Sequence, residues 1–207
     1  MPTTQDLHGK TALVTGATAF IGRAVAIELA RRGARVVVNG RNPDSGPVVI
    51  EEIAAAGGQA EFEATDLTDR AAVHAMVERI VQRHGKIVAI GTDAGRVATV
   101  GESFIGGATG GMMQMCRVLA RELGRDGIRI NAVAMSYIWD AEPRWGGGSA
   151  ALAGAHGQGM IDNIRKRMLF PVHCKDIAQA AAFFAGPESD AITGQTLSVN
   201  GGLSTPG

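Results

Sequence analysis

The chain is expected to fold as an α/β protein built on a doubly wound parallel sheet. Short apolar runs rich in Val and Ile alternate with amphipathic stretches of helical period, and glycines close most of those stretches. With 207 residues, 45% of them apolar, the polypeptide has the size of one domain and can bury a substantial core. Strands that alternate with helices need crossovers, and crossovers make the sheet parallel. A single domain over 1–207 is expected, with no repeat or linker.

The elements follow in order. Lys10 to Gly16 reads as a short buried strand, and Phe20 to Arg32 as a helix with Ile21, Val25 and Leu29 on one stripe and Gly33 as its stop. Arg35 to Gly40 is a second, β-branched strand, followed by a helix from about Pro43 to Ala56 that ends at Gly57-Gly58. Ala60 to Ala64 alternates as a third strand. Thr68 is placed to cap a helix reaching about His84, and Lys86 to Gly91 is the fourth strand. Gly110 to Leu123 reads as a helix whose apolar face is Met112, Met115, Cys116, Leu119 and Leu123. Gly127 to Ala134 is another strand; residues 136–172 are irregular and Gly-rich, with a helix around Met160–Arg167. Asp176 to Ala185 is the last helix, closed by Gly186-Pro187, and Gln195 to Val199 the last strand.

Composition narrows the function. Lys plus Arg equals Asp plus Glu at 20 each, and no basic run argues for nucleic acid or a membrane surface. No apolar stretch has the length of a membrane span, and MPTTQDLHGK carries no apolar signal region. Cys116 and Cys174 have neither metal nor disulfide spacing, so a reducing cytoplasm is expected. The five histidines are scattered and none has metal spacing; no metal is expected. The expected ligand is a small molecule.

Between the first strand and first helix stands Thr15-Gly-Ala-Thr-Ala-Phe-Ile-Gly22. With LVTGATAFIGRAVA, Asp66-Leu67, LARELGRDGIRINAVA and KDIAQAAAFFAGPESDAITGQTLSVNGG in that order, the chain resembles the short-chain dehydrogenase/reductase family over nearly its whole length. The resemblance implies a Rossmann-like sheet. It also implies a nucleotide site at Thr15, Gly16, Phe20, Ile21, Gly22, Arg41, Asp66, Leu67, Ala94 and Gly95. Phe20 stands where the family has the glycine that lets amides approach a pyrophosphate. A benzyl group there either fills that space or turns into the core as a helix-start staple. Gly40-Arg41 suits a 2′-phosphate, hence NADP(H), against the alternative of a solvated arginine in a polar turn. Thr92-Asp93-Ala94-Gly95 replaces the family's Asn-Asn-Ala-Gly, and an anionic Asp93 beside cofactor phosphates is unfavourable without a cation.

The family's catalytic unit is Tyr-x-x-x-Lys, in which the tyrosine is the acid/base and the lysine lowers its pKa. Tyr137 is the one tyrosine of the chain and Ala141 follows it by four. Aligned on RVLARELG, Ile105 and Thr109 stand where tyrosine and lysine belong. Where the family has a helix, a serine-bearing strand and a loop, only RVATVGESFIGGATG remains; RVATVGES resembles the serine-bearing strand yet lies about five residues past the fourth strand, whereas a parallel crossover needs a dozen or more. Either the sheet is shortened by about one strand and one helix, or this stretch has become a loop or hairpin. Thr15 to Gly22 also fits the Thr-x4-Phe-x-Gly turn of halohydrin dehalogenases, non-redox relatives whose Ser/Tyr/Arg set is absent here.

These departures lead to an expected non-redox enzyme, a lyase, isomerase or dehalogenase-like catalyst on a small oxygenated molecule. NADP(H) would bind weakly, with no cofactor needed for catalysis. An NADP(H)-dependent oxidoreductase and a non-catalytic binding subunit are the alternatives. Asp93 and Tyr137 are the candidate catalytic residues, with Tyr137 and Trp139 as mere packing of a lid the competing reading. A homodimer or homotetramer is expected from the resemblance, through the last helix and strand and secondarily the Met-rich helix.

Overall fold

The computed structural model describes residues 5–80, 85–141 and 155–205. Six strands, β1 (Thr11–Val14), β2 (Arg35–Gly40), β3 (Gln59–Ala64), β4 (Lys86–Thr92), β5 (Arg129–Met135) and β6 (Thr196–Val199), form two parallel ladders, β1-β2-β3 and β4-β5-β6. Among the described residues six α-helices accompany them: α1 (Phe20–Arg31), α2 (Gly46–Ala55), α3 (Arg70–Ile80), α4 (Ser103–Glu122), α5 (Ala155–Arg167) and α6 (Cys174–Ala185).

One apolar core spans both ladders. Val25, Ala26, Leu29 and Ala30 of α1 pack with Val36 and Val38 of β2, Val49 and Ile53 of α2, and Ala178, Ala181 and Ala182 of α6. Alanines on α6 let the two helices approach closely, and Val88 and Ile90 of β4 close the cluster. On β5 the side chains alternate: Val133 meets Ile177 and Phe184 on the α6 side, while Ala132 and Ala134 meet Met113 of α4 on the other. That is the two-sided covering a parallel sheet requires.

Where the chain departs from sequence expectation, packing explains it. β4 pairs directly with β5, from Lys86↔Arg129 to Thr92↔Met135, so the sheet is indeed one strand short, and RVATVGE is loop leading into α4, which begins at the next residue, Ser103. No ladder bond joins β1 to β4 among the described residues, so the expected single sheet is divided in two. α4 starts at Ser103, not Gly110. Its glycines read as loop but answer a close approach: a Cβ on Gly106 would lie 2.6 Å from the Ala94 carbonyl oxygen. Met113, with Met112 beside it, faces inward on α4, whereas Met115 is exposed. Nor does Thr68 cap α3; Asp69 Oδ1 accepts from the amides of Ala71 and Ala72. Among the described residues no helix is long and apolar enough to cross a membrane.

Candidate functional site

The turn after β1 is shaped by two glycines. Gly16 takes a left-handed φ of +62°, and a Cβ on Gly22 would sit 2.3 Å from the Gly16 carbonyl oxygen, so the helix can start only against bare backbone. α1 then begins with no side-chain cap and no acidic residue in its first turn. The leading amides of such an uncapped helix start and the positive end of its dipole favour an anion.

Phe20 opens that helix at φ +48°, the one non-glycine residue with a left-handed backbone among those described, and the residue is 38% exposed. The reading that turns the ring into the core is therefore overturned; Ile21, not Phe20, joins the cluster beneath.

The strand ends beside the turn carry the rest. Asn39, buried at the end of β2, donates to the carbonyls of Glu63 and Thr65 and accepts from the Ala17 amide, tying the turn to β2 and β3. Arg41 follows, exposed, close enough to Asp66 for their charges to interact. Asp66 Oδ1 accepts from the amide and hydroxyl of Thr68 at 2.9 Å each. Those bonds, with a smaller contribution from Arg41, hold its carboxyl below the ordinary carboxylate range. Leu67 beside it is exposed. Thr15, Gly16, Phe20, Ile21, Gly22, Arg41, Asp66 and Leu67 thus lie along one edge, at the carboxyl ends of β1, β2 and β3.

At the end of β4 the structure is closed differently. Asp93 is buried; its Oδ1 accepts from the Ser198 hydroxyl (2.8 Å), and its Oδ2 from the Asn200 amide and the Ser204 hydroxyl (3.1 Å). Arg96 stands one bond behind, donating to Ser198 at 2.9 Å. The carboxylate is thereby compensated by dipoles, with a cation at second remove. Ser198, Asn200, Ser204 and Arg96 escaped the sequence reading, although polar residues ending an apolar last strand were a visible signal. Ala94 and Gly95 lean on α4, where a Cβ on Gly95 would meet the Gly110 amide nitrogen at 2.6 Å. The Thr109 hydroxyl donates to the Ile105 carbonyl at 2.7 Å.

Tyr137 lies apart from Asp93's cluster of partners, buried with Val133, Ile138, Met168, Val172, Ile177 and Phe184. The Arg165 guanidinium of α5 sits over its ring at 5.6 Å and over the Trp139 ring at 4.9 Å. Tyr137 is thus buried in a core cluster, with its ring covered by Arg165. Asp140 accepts from the Cys174 amide at the start of α6 (2.9 Å). Burial, then Asp140, pushes the Cys174 thiol up to about 11, which leaves it unreactive. Among the described residues no group of three or more His, Cys, Asp or Glu could hold a metal.

Comparison with known proteins bears on the same regions. The short chain dehydrogenase family model matches residues 10–96, and the model described as enoyl-(acyl carrier protein) reductase matches residues 77–204. The 3-oxoacyl-[acyl-carrier-protein] reductase FabG of Escherichia coli (strain K12) is 30% identical over 251 aligned positions, which cover 96% of this chain and 98% of that protein. A 3beta-hydroxysteroid dehydrogenase of Mediterraneibacter gnavus is 44% identical over 88 residues, 42% of this chain and 32% of that protein. A solved structure, 7 alpha-hydroxysteroid dehydrogenase complexed with NADH and 7-oxo glycochenodeoxycholic acid, superimposes with TM-score 0.80 at 23% identity, covering 97% of this chain and 96% of that one. An alignment of 251 positions against 207 residues places the missing segment inside the chain.

These relatives are reductases and dehydrogenases, and they overturn the expectation of a lyase, isomerase or dehalogenase-like enzyme. The physical reason is that hydride chemistry resides in the cofactor. Losing a tyrosine removes a proton donor; it does not remove the edge on which a nucleotide would lie.

Proposed function

Because the chain belongs to the short-chain dehydrogenase/reductase family, we propose that it is an oxidoreductase using NADP(H) to interconvert a small carbonyl compound and its alcohol. The observation that carries this reading is the uncapped α1 N-terminus behind the Gly16–Gly22 turn, flanked by Arg41 and Asp66. Such an edge fits a dinucleotide's adenosine half, and the bound nicotinamide would supply the hydride. The amides of Phe20, Ile21 and Gly22 would receive phosphate, Arg41 a 2′-phosphate, and Asp66 with Leu67 the adenine. Ala94 and Gly95 would line the far end. Ile105 and Thr109 bring no acid to the carbonyl oxygen, so water would deliver that proton and turnover would be slow.

Calorimetry with NADPH and NADH tests the reading. NADPH is expected to bind the tighter, and Arg41→Ala to weaken NADPH about tenfold while leaving NADH unchanged, the size of one lost charge-assisted contact. Absence of NADPH binding at millimolar concentration would sink it. Phe20→Gly is expected to tighten NADPH by about tenfold, since it removes a ring from the approach to the amides; relief of the left-handed strain, roughly 1–2 kcal/mol, would appear instead as fold stability. An unchanged constant would mean that the ring lies clear of the phosphates.

A second reading, a nucleotide-binding subunit without turnover, is favoured by the Thr109 hydroxyl being spent on Ile105 and by the tight Gly95–α4 contact. NADPH oxidation with a 3-oxoacyl thioester separates the two.

A further inference from the structure

Glu102, Gly106, Thr109, Met113, Cys116 and Ala120 recur at spacings of four and three and are buried or half-buried, so they form the inward face of α4 and the turn leading into it. That face lies on the sheet and on the end of β4. Met113 packs on Ala132 and Ala134, Thr109 and Gly110 lie against Gly95, and Gly106 is pressed on the Ala94 carbonyl. Because β4 and β5 are parallel, the helix between them runs back from their carboxyl ends, and its first residues stand at that edge. Glu102 comes one turn before Gly106 and so continues the inward face about 6 Å past Ala94. Its carboxyl is half-buried, yet it does not cap the helix and has no hydrogen-bond or ion-pair partner among the described residues. A carboxyl held that way costs folding free energy, and no structural bond accounts for it.

We propose that Glu102 is the proton source for carbonyl reduction, acting through a water at the Ala94–Gly95 end of the nucleotide edge. The inference rests on the oxidoreductase reading given above. As the carbonyl carbon accepts hydride from NADPH, its oxygen takes a proton from the water and the water takes one from Glu102. The products are the alcohol and NADP⁺, and solvent reprotonates the carboxylate left behind. The surroundings suit a donor. Burial alone holds the Glu102 carboxyl above its ordinary range, which keeps the proton in place closer to neutral pH. Asp93 and Arg96, the charged groups of the turn beside it, are both tied to Ser198. Lys86 and Arg129 stand at the opposite ends of β4 and β5, and Arg117, Arg121, Glu122, Arg125 and Asp126 lie about four turns or more away, along α4 or just past its end.

Carbon-13 NMR of the protein, free and with NADPH, and steady-state kinetics with NADPH and acetoacetyl-coenzyme A test it. One glutamate carboxyl, identified by its loss in Glu102→Gln, should titrate above the ordinary value of about 4.3. The donor must carry its proton to act, so kcat should fall as pH rises through that same pKa, and this limb should vanish in Glu102→Gln. On the acid side of the limb Glu102→Gln should lower kcat about 10²-fold, the lower end of what a positioned acid contributes, with KM and the calorimetric Kd for NADPH unchanged. Glu102→Asp should recover part of the rate and show the limb again. An unchanged kcat in Glu102→Gln, a pH limb that persists in it, or a Glu102 pKa at or below the ordinary value would each overturn the proposal while wild-type turnover leaves the oxidoreductase reading standing. Wild type that binds no NADPH, or binds it and reduces nothing, overturns that reading and this inference with it.

Discussion

The double substitution Ile105→Tyr/Thr109→Lys is expected to raise the rate of carbonyl reduction by NADPH about 10²–10⁴-fold, the contribution a positioned general acid makes over water. The two positions are one helical turn apart on α4, and Thr109 already faces Gly95 at the end of β4. Ile105 is exposed, so a phenol there displaces no core. Ile105→Tyr alone should gain far less, because without the neighbouring ammonium its phenol holds its proton with the ordinary pKa near ~10. The pH–rate profile distinguishes the cases. With both residues present the activity-controlling pKa should fall below that of the single variant, since a nearby positive charge favours phenolate. No gain from either variant would mean that α4, shifted by the direct pairing of β4 with β5, no longer aims these positions at the nicotinamide.

Asp93→Ala should cost the fold about 3 kcal/mol and lower the melting temperature by roughly 6–12 °C for a chain of this length. The carboxylate gathers Ser198, Asn200 and Ser204 in a buried place, and its loss strands all three donors. It also releases the segment after β6 from the end of β4. Asp93→Asn keeps one acceptor oxygen and should lose about half as much. Denaturant titration of the three proteins is the measurement, and a loss under about 0.5 kcal/mol for Asp93→Ala, the range of an ordinary surface change, would show that the cluster closes through water.

Much of the fold was legible because hydrophobic period and glycine position are local. β2 and the start of α1 stand where the Val-rich run and the Gly16–Gly22 turn place them. The errors came where a distant contact decides. The glycines of α4 resemble loop until Ala94 and Gly95 are seen pressed against them. Thr68 is a miss of another kind, a choice among neighbouring capping residues: Asp66, two residues before it, takes its hydroxyl, and Asp69, just after it, caps the helix.

By itself the sequence determined the family, the α/β class, the absence of the Tyr-x-x-x-Lys unit and the room lost between β4 and α4, for these depend on residue identity and spacing along the chain. Only the tertiary structure decided that the sheet closes over the missing strand by pairing β4 with β5. It also decided that Phe20 stays at the surface in a left-handed turn, and that Tyr137 lies under Arg165. Asp93's partners more than a hundred residues away belong to the same class. The physical reason is common to them all. Burial, backbone strain and the pairing of a charge depend on which atoms meet across the fold, and those meetings are set by packing between elements that no local pattern brings together.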